Sequence, residues 1–292
     1  MAVTGRSHVY GIVGDPVEHS LSPVMHNAAF RHLGLDCVYV PFKVSSRSLR
    51  DAVRGLRLLG VKGFNVTVPH KVEIVKHLQK IDPITRAIGA VNTVLNDSGT
   101  LVGYNTDATG AIEALKSNGV SPGDSKFTIL GAGGAASAII FSVAEASPRV
   151  TVLNRTLEKA EKLKRKIKRQ LQVDIWTKRL TRRNLVESLR TCDVLVNATS
   201  VGMEGNPSGL PIRRADLERR LTVFDIVYGR SETELLRKAR SAGCKTISGV
   251  EMLLHQGAAA FEIWTGRKAP VEVMRRALAE ATARGVRGNA GC

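Results

Sequence analysis

The segment Leu130-Gly131-Ala132-Gly133-Gly134-Ala135-Ala136 constrains this chain more than any other stretch. It follows a short apolar run, Phe127 to Leu130, and opens a helical pattern from Gly134 to Ala146. A second apolar run, Val150 to Leu153, comes next. The spacing is G-x-G-x-x-A inside a strand–turn–helix–strand unit. In such a unit Gly131 permits the tight turn, Gly133 lets backbone approach a pyrophosphate, and the small Ala136 lets the helix pack close to the sheet. The helix N-terminus then offers unpaired N–H groups and a positive dipole end to phosphate. A Rossmann-type dinucleotide-binding domain is expected, with Gly131, Ala132, Gly133, Gly134 and Ala135 against the phosphates.

Asn154-Arg155-Thr156 follow the second strand, with Lys159 one helical turn on. An Asp or Glu commonly stands in this region when the ribose carries free hydroxyls, and none does here. A guanidinium at Arg155 pairs bidentately with a 2′-phosphate and Lys159 adds charge, so NADP is expected rather than NAD.

A chain of 292 residues is long for one core and comfortable for two domains. The turn-rich stretch from Ser117 to Asp124 is the clearest boundary. Ahead of it, apolar runs at Val9–Val13, Cys37–Val44 and Phe64–Val68 alternate with helical patterns at Pro23–Leu33 and Leu49–Leu59. A hairpin is read across Asn96-Asp97-Ser98-Gly99. After it come strands at Val194–Val196 and Val223–Val227, then helices at Val250–Thr265 and Val271–Arg284. This alternation predicts an α/β protein with mostly parallel sheets.

Composition excludes several classes. No apolar run reaches the ~20 residues of a membrane span, and the N-terminus lacks the apolar core of a secretory signal. A cytoplasmic enzyme is expected. The four cysteines form no C-x-x-C pair and share no ligand spacing with the seven histidines, so neither a disulfide framework nor a metal site is expected. Cys37, Cys192 and Cys244 read as small core fillers. The net charge is +17, and Arg155 to Arg183 alone holds 12 Lys/Arg against Glu158, Glu161 and Asp174. Ala160, Leu163, Ile167 and Leu171 recur there at helical spacing, which describes an amphipathic helix with a basic solvated face. With aromatics at 4%, stacking platforms for bases are scarce and nucleic-acid binding is not expected.

Polar motifs cluster where strands of the first third should end: Ser20-Leu21-Ser22-Pro23, Asn65-Val66-Thr67-Val68-Pro69-His70-Lys71, Asn92-Thr93 and Asn105-Thr106-Asp107. Open α/β sheets bind ligands beyond the carboxyl ends of their strands. Ser22 also suits an N-cap before Pro23, and Asp107 a cap for a helix from Ala108 to Lys116. Lys71 falls at an apparent helix start, where the dipole opposes a cation. That mismatch points to function, and an ordinary exposed lysine stands beside it as an equal reading.

Together with Gly89-Ala90-Val91-Asn92-Thr93, Gly103-Tyr104-Asn105-Thr106-Asp107, Asn197-Ala198-Thr199-Ser200, Asp225-Ile226-Val227-Tyr228 and Met252-Leu253-Leu254-His255-Gln256, these motifs make the chain resemble the shikimate dehydrogenase family over essentially its whole length. The resemblance implies NADP-dependent, reversible reduction of 3-dehydroshikimate to shikimate. It implies a substrate-binding domain at 1–107, an NADP-binding domain at 108–247, and C-terminal helices at 248–292 packing back on the first domain. Ser20 and Ser22 would hold the substrate carboxylate. Asn65, Thr67, Asn92, Asp107, Gln256 and Tyr228 would complete the substrate contacts, with Lys71 and Asp107 as a coupled acid/base pair. Thr199, Ile226 and Gly249 would join the cofactor site. Ser137 stands where the family often has a basic residue, and Ile226 where it often has methionine. Relatives acting on quinate often prefer NAD and carry an acid near the ribose, which Asn154-Arg155-Thr156 lacks. The remaining alternatives are quinate or dual quinate/shikimate dehydrogenase and, in another class, a non-catalytic NADP(H)-sensing module that contacts nucleic acid through its basic helix. A monomer or homodimer acting on small molecules is expected.

Overall fold

The computed structural model of the chain describes residues 3–147, 149–203, 209–229 and 232–287. The chain folds as two compact units, the described residues of Met1–Gly110 with Leu253–Arg287, and Ala111–Met252.

The first unit holds β1 (His8–Gly14), α1 (Ser22–His32), β2 (Cys37–Lys43), α2 (Leu49–Leu58), β3 (Gly63–Val66), β4 (Lys80–Ile81), α3 (Pro83–Ile88), β5 (Thr93–Asp97) and β6 (Thr100–Tyr104). The helix α4 (Thr106–Ser117) begins in it. Its six strands run in the order β2-β1-β3-β5-β6-β4. β1 pairs parallel with β2 and β3, and β4 with β6, while β5 runs antiparallel to both β3 and β6. The sheet is therefore mixed. Its hairpin turns through Ser98 and Gly99 with φ 51° and 91°, the left-handed pair that matches strand twist in a two-residue loop. Asn96 Oδ1 accepts from the Gly99 N–H at 2.9 Å and fixes that loop. Val13, Leu49, Val53, Phe64, Val66, Ile74, Val91, Val94 and Leu101 pack as one buried cluster. Removing each such side chain from water contributes about 1.5–3 kcal/mol.

The second unit holds β7 (Phe127–Leu130), α5 (Gly134–Ala146), β8 (Val150–Asn154), α6 (Leu157–Leu171), β9 (Trp176–Arg179), α7 (Arg182–Leu189), β10 (Val194–Asn197), β11 (Thr222–Asp225), α8 (Glu234–Ser241) and β12 (Lys245–Ser248). All six strands are parallel, in the order β12-β11-β10-β7-β8-β9. Every residue of β7 and β10 is buried, which is why both read as mostly apolar runs, with Thr128 and Asn197 as the polar exceptions. The chain winds outward from β7 through β8 and β9, then returns to the other side of β7 as β10. The order reverses there, and doubly wound sheets bind nucleotides at such a reversal. On α6, Ala160, Leu163 and Ile167 are buried while Lys162, Arg165, Lys168 and Arg169 are exposed, so the charge excess lies on a solvated face.

Helix α9 (Gly249–Thr265) starts in the second unit and continues into the first, followed by α10 (Val271–Arg287), which packs against α1. In the first unit Trp264 Nε1 donates to the Val94 carbonyl at 2.9 Å, and a Cβ at Gly63 would come within 2.4 Å of that nitrogen. Only glycine lets the helix dock there. Cys192 and Cys244 are buried; Cys37, expected with them as core, is only half-buried at the start of β2. Cys292 lies outside the described residues. No described helix is long and apolar enough to cross a membrane.

Candidate active site

Strand pairing explains why distant polar motifs meet in the first unit. β3 is parallel to β1, so the residues after Gly14 and after Val66 leave the same edge of the sheet. β5 is antiparallel to β3 and β6 to β5, with Asn65 opposite Thr93 and Thr93 opposite Tyr104. The start of β5 and the end of β6 therefore lie on that edge too. The loops holding Ser20 and Ser22, Thr67 and Lys71, Asn92, and Asp107 all emerge there.

Lys71 and Asp107 are in contact. Nζ lies 2.5 Å from Asp107 Oδ2, with the two side chains 17% and 6% exposed. Lys71 is not the ordinary surface lysine that sequence alone left open. The expected helix start at Lys71 is corrected: residues 68–72 form a turn and only a five-residue 3-10 helix follows, Glu73–His77. A single such turn carries little dipole, and Lys71 is held by local bonds instead. Its carbonyl accepts from the Val91 N–H at 2.8 Å, which sets it beside Asn92. The preceding His70 is buried, with Nε2 2.6 Å from the Val44 carbonyl.

Asp107 is not a cap either. Helix α4 starts at Thr106, and the Ala108 N–H donates to Asn105 Oδ1 at 3.2 Å. With Asn105 capping, the Asp107 carboxylate is available to Lys71 and, at 2.8 Å through Oδ1, to Asn92 Nδ2. It still lies in the first turn of α4, where a negative charge is favoured. Ser22 likewise makes no capping bond: it is the first residue of α1 and 3% exposed, and its own N–H donates to Ser20 Oγ at 3.3 Å.

Asn92 lies just before β5, at the start of a strand rather than at the end of one. Its amide joins the site together: Nδ2 reaches Asp107, Thr106 Oγ1 at 3.0 Å and Gln256 Oε1 at 3.4 Å, while Oδ1 accepts from the Thr106 N–H at 2.7 Å. Asn65 connects through Thr93, to whose Oγ1 its Nδ2 donates at 3.0 Å. The structure thus brings together Lys71, Asp107, Asn92, Gln256 and Asn65. Ser20 and Thr67 are half-buried on the same edge, and among the described residues no hydrogen bond joins their hydroxyls to this network. Sequence reasoning missed Thr93 and Thr106 as members. Their only signal was position within motifs already noted.

In the second unit Gly131 has φ 110°, and a Cβ there would meet the Ala198 carbonyl oxygen at 2.7 Å and Thr199 Cγ2 at 3.3 Å. Glycine is required by both conformation and space. Gly133 differs: nothing lies within 4 Å of where its Cβ would be, so backbone there is open to a ligand. Helix α5 has no side-chain cap, leaving its first N–H groups to meet phosphate, and Ala136 is fully buried as close packing demands. Arg155, Thr156 and Lys159 are exposed at the end of β8 and the first turn of α6, and Asn154 Nδ2 donates to the Thr156 carbonyl at 2.7 Å. These features fit a dinucleotide with a 2′-phosphate.

Thr199 is oriented by Asn197, whose Oδ1 accepts from the Thr199 N–H at 3.1 Å and hydroxyl at 2.7 Å. Asn197 Nδ2 donates to the buried Asp225 at 2.8 Å. Burial pushes the Asp225 carboxyl up, opposed by hydrogen bonds from Thr233, the Val227 N–H and Asn197. A Cβ at Gly249 would strike the Ile226 carbonyl oxygen at 2.3 Å, so these two expected cofactor residues are in contact. Tyr228 is 36% exposed, three residues past the end of β11.

Three family models match the chain. One described as the shikimate dehydrogenase substrate binding domain matches residues 12–94, one described as shikimate / quinate 5-dehydrogenase matches 113–234, and one described as the shikimate 5'-dehydrogenase C-terminal domain matches 249–279. A shikimate dehydrogenase (NADP(+)) of Methanosarcina mazei is 47% identical over 276 residues, covering 94% of this chain and 98% of that protein. A crystal structure of a shikimate dehydrogenase in complex with NADP+ has a TM-score of 0.88 at 40% identity, covering 96% of this chain and 98% of its own. The shikimate 5-dehydrogenase of Listeria monocytogenes, in complex with shikimate and NAD, has a TM-score of 0.87 at 39% identity, covering 95% and 98%.

Proposed function

The chain belongs to the shikimate dehydrogenase family, and on that premise we propose that it catalyses the NADP-dependent, reversible reduction of 3-dehydroshikimate to shikimate. The observation that carries this for the chain's own residues is the Lys71–Asp107 contact at the sheet edge, with Asn92 and Gln256 bonded around it. NADP(H), when bound, supplies or accepts the hydride. Reducing a ketone leaves an alkoxide, which needs a proton donor and fixed hydrogen bonds. Lys71 Nζ gives that proton, and in the reverse direction takes it from the hydroxyl. Asp107 holds Nζ in place and accepts from a substrate hydroxyl, so the pair acts as a unit. Asn92, Gln256, Asn65 and Thr67 orient the ring hydroxyls, Ser20 and Ser22 hold the carboxylate, and Tyr228 is a further substrate contact.

The first unit is the substrate domain and the second the NADP domain, with Gly131 to Ala135 on the pyrophosphate, Arg155 and Lys159 on the 2′-phosphate, and Thr199, Ile226 and Gly249 toward the nicotinamide end. The absence of an acid at Asn154-Arg155-Thr156 favours NADP and, with it, shikimate over quinate. A half-buried lysine bonded to a buried carboxylate argues against a mere sensor, which has no use for a proton donor. Steady-state oxidation of shikimate and of quinate, each with NADP+ and NAD+, tests the reading. Shikimate with NADP+ should have the highest kcat/KM; a preference for quinate with NAD+, or no turnover, contradicts it. The enzyme acts as a monomer or homodimer in the cytoplasm.

A further inference from the structure

Tyr39, in the middle of β2, is 1% exposed and lies outside every role assigned above. Its position is tightly set. Asn27 pairs with both its backbone N–H and C=O, each at 2.9 Å. Its ring stacks on His26, with centroids 4.5 Å apart and planes within 12°, and meets Trp264 at 6.0 Å. The hydroxyl held this way donates to Asn65 Oδ1 at 2.7 Å.

That bond is the first link of a buried chain that runs to the Lys71–Asp107 pair. With its oxygen committed to Tyr39, the Asn65 amide turns its NH2 to the Asn92 carbonyl at 3.1 Å and to Thr93 Oγ1 at 3.0 Å. The Thr93 hydroxyl, accepting there, has its single proton left to pass on, to Thr106 Oγ1 at 3.0 Å or Asn92 Oδ1 at 3.2 Å. The Thr106 hydroxyl in turn lies 3.5 Å from Gln256 Oε1. Asn92, its oxygen end so occupied, keeps its NH2 on Asp107. The Asn92 carbonyl and the Thr106 N–H already settle which way the Asn65 and Asn92 amides face; the phenol adds the bond that fixes where the Asn65 side chain sits.

We propose that Tyr39 is a positioning residue for the reaction: its buried hydroxyl anchors the Asn65 side chain, and through the bonds from Asn65 to Thr93 and Asn92 it holds in place the side chains that set Asp107 against Lys71. Linked networks of this kind are worth more than their separate bonds. This inference rests on the function proposed above.

Tyr39→Phe keeps the ring and its stack and removes only the hydroxyl. At saturating NADP+, kcat for shikimate oxidation should fall about threefold to tenfold, the worth of one hydrogen bond, with KM for NADP+ within about twofold of wild type. Thr93→Val cuts the same chain, so in the double variant the two losses should fail to add. Thr93→Ser restores the hydroxyl and should keep nearly full kcat, which covers the case in which Tyr39→Phe folds poorly. Wild type runs in the same assay, and its failure to oxidise shikimate would remove the proposed function itself. With wild type active, unchanged kcat in Tyr39→Phe, full additivity with Thr93→Val, or equal loss in Thr93→Ser and Thr93→Val overturns the inference about Tyr39 alone.

Discussion

In the first unit the candidate site consists of side chains that are hidden and already bonded to one another: Asn92, Thr93, Thr106 and Asp107 are each at most 4% exposed. In the second unit the residues expected to hold the nucleotide are backbone and solvent-facing charge, with Gly133, Arg155, Thr156 and Lys159 all exposed. The contrast follows from what each must recognise. A small polyhydroxylated ring at which charge develops calls for a fixed array of donors and acceptors set during folding. A large dinucleotide supplies its own charge and can be caught by helix N–H groups and guanidinium arms. Damage to the first unit should therefore appear in kcat, and damage to the second in cofactor affinity.

Lys71→Ala tests the first half with the largest expected effect. Removing the proposed acid/base group should lower kcat about a thousandfold, while fluorescence titration of NADP+ should be unchanged. A comparable loss of NADP+ affinity would erase the division. Gly131→Ala should act the opposite way. The strained φ alone costs about 1–3 kcal/mol, the collision with the Ala198 carbonyl adds to it, and NADP+ binding should weaken more than tenfold with a lowered melting temperature. Arg155→Ala should raise KM for NADP+ about tenfold through loss of one charge-assisted bond, leaving kcat and the NAD+ parameters in place. An unchanged NADP+/NAD+ preference would remove Arg155 from the 2′-phosphate.

The smallest effect concerns stability in the first unit. His26 is fully buried, neither ring nitrogen has a hydrogen-bond partner, and burial lowers its pKa from 6.5 to about 3. The unfolded chain binds a proton below about 6.5 that the native ring refuses until about 3. Stability from this residue is thus complete above 6.5 and lost as pH falls, by about 1.4 kcal/mol per pH unit. Chemical denaturation at pH 5.5 and 7.5 should show wild type losing about 1 kcal/mol more than His26→Leu. Parallel losses in the two proteins would mean that the imidazole is not shielded from protons.

How much of this was legible beforehand depended on local signal. The bounds of β7 and α5 could be read outright, because a short mostly apolar run, a glycine turn and a long apolar helix leave no rival pattern. The elements β9, β12, α7 and α8 went unread. β9 is Trp-Thr-Lys-Arg and β12 Lys-Thr-Ile-Ser, edge strands whose parallel pairing supplies what their composition does not. Lys71 and Asp107 could be singled out as residues, but not as neighbours 2.5 Å apart, because that depends on the antiparallel course of β5 and β6 between them. The ambiguity over Asp107 as a cap was resolved only by Asn105, whose side chain takes that task two residues earlier. Tyr39 reads as ordinary strand core, and nothing in its neighbours' types reveals what its hydroxyl reaches.

A crystal structure of the protein with shikimate bound is the most direct test. The ring should lie at the first unit's sheet edge, its reacting hydroxyl within about 3.2 Å of Lys71 Nζ, Asp107 and Asn92 on the adjoining oxygens, and the carboxylate at Ser20 and Ser22. Shikimate seated away from Lys71, or bound with Lys71 and Asp107 still paired only to each other, would contradict that arrangement.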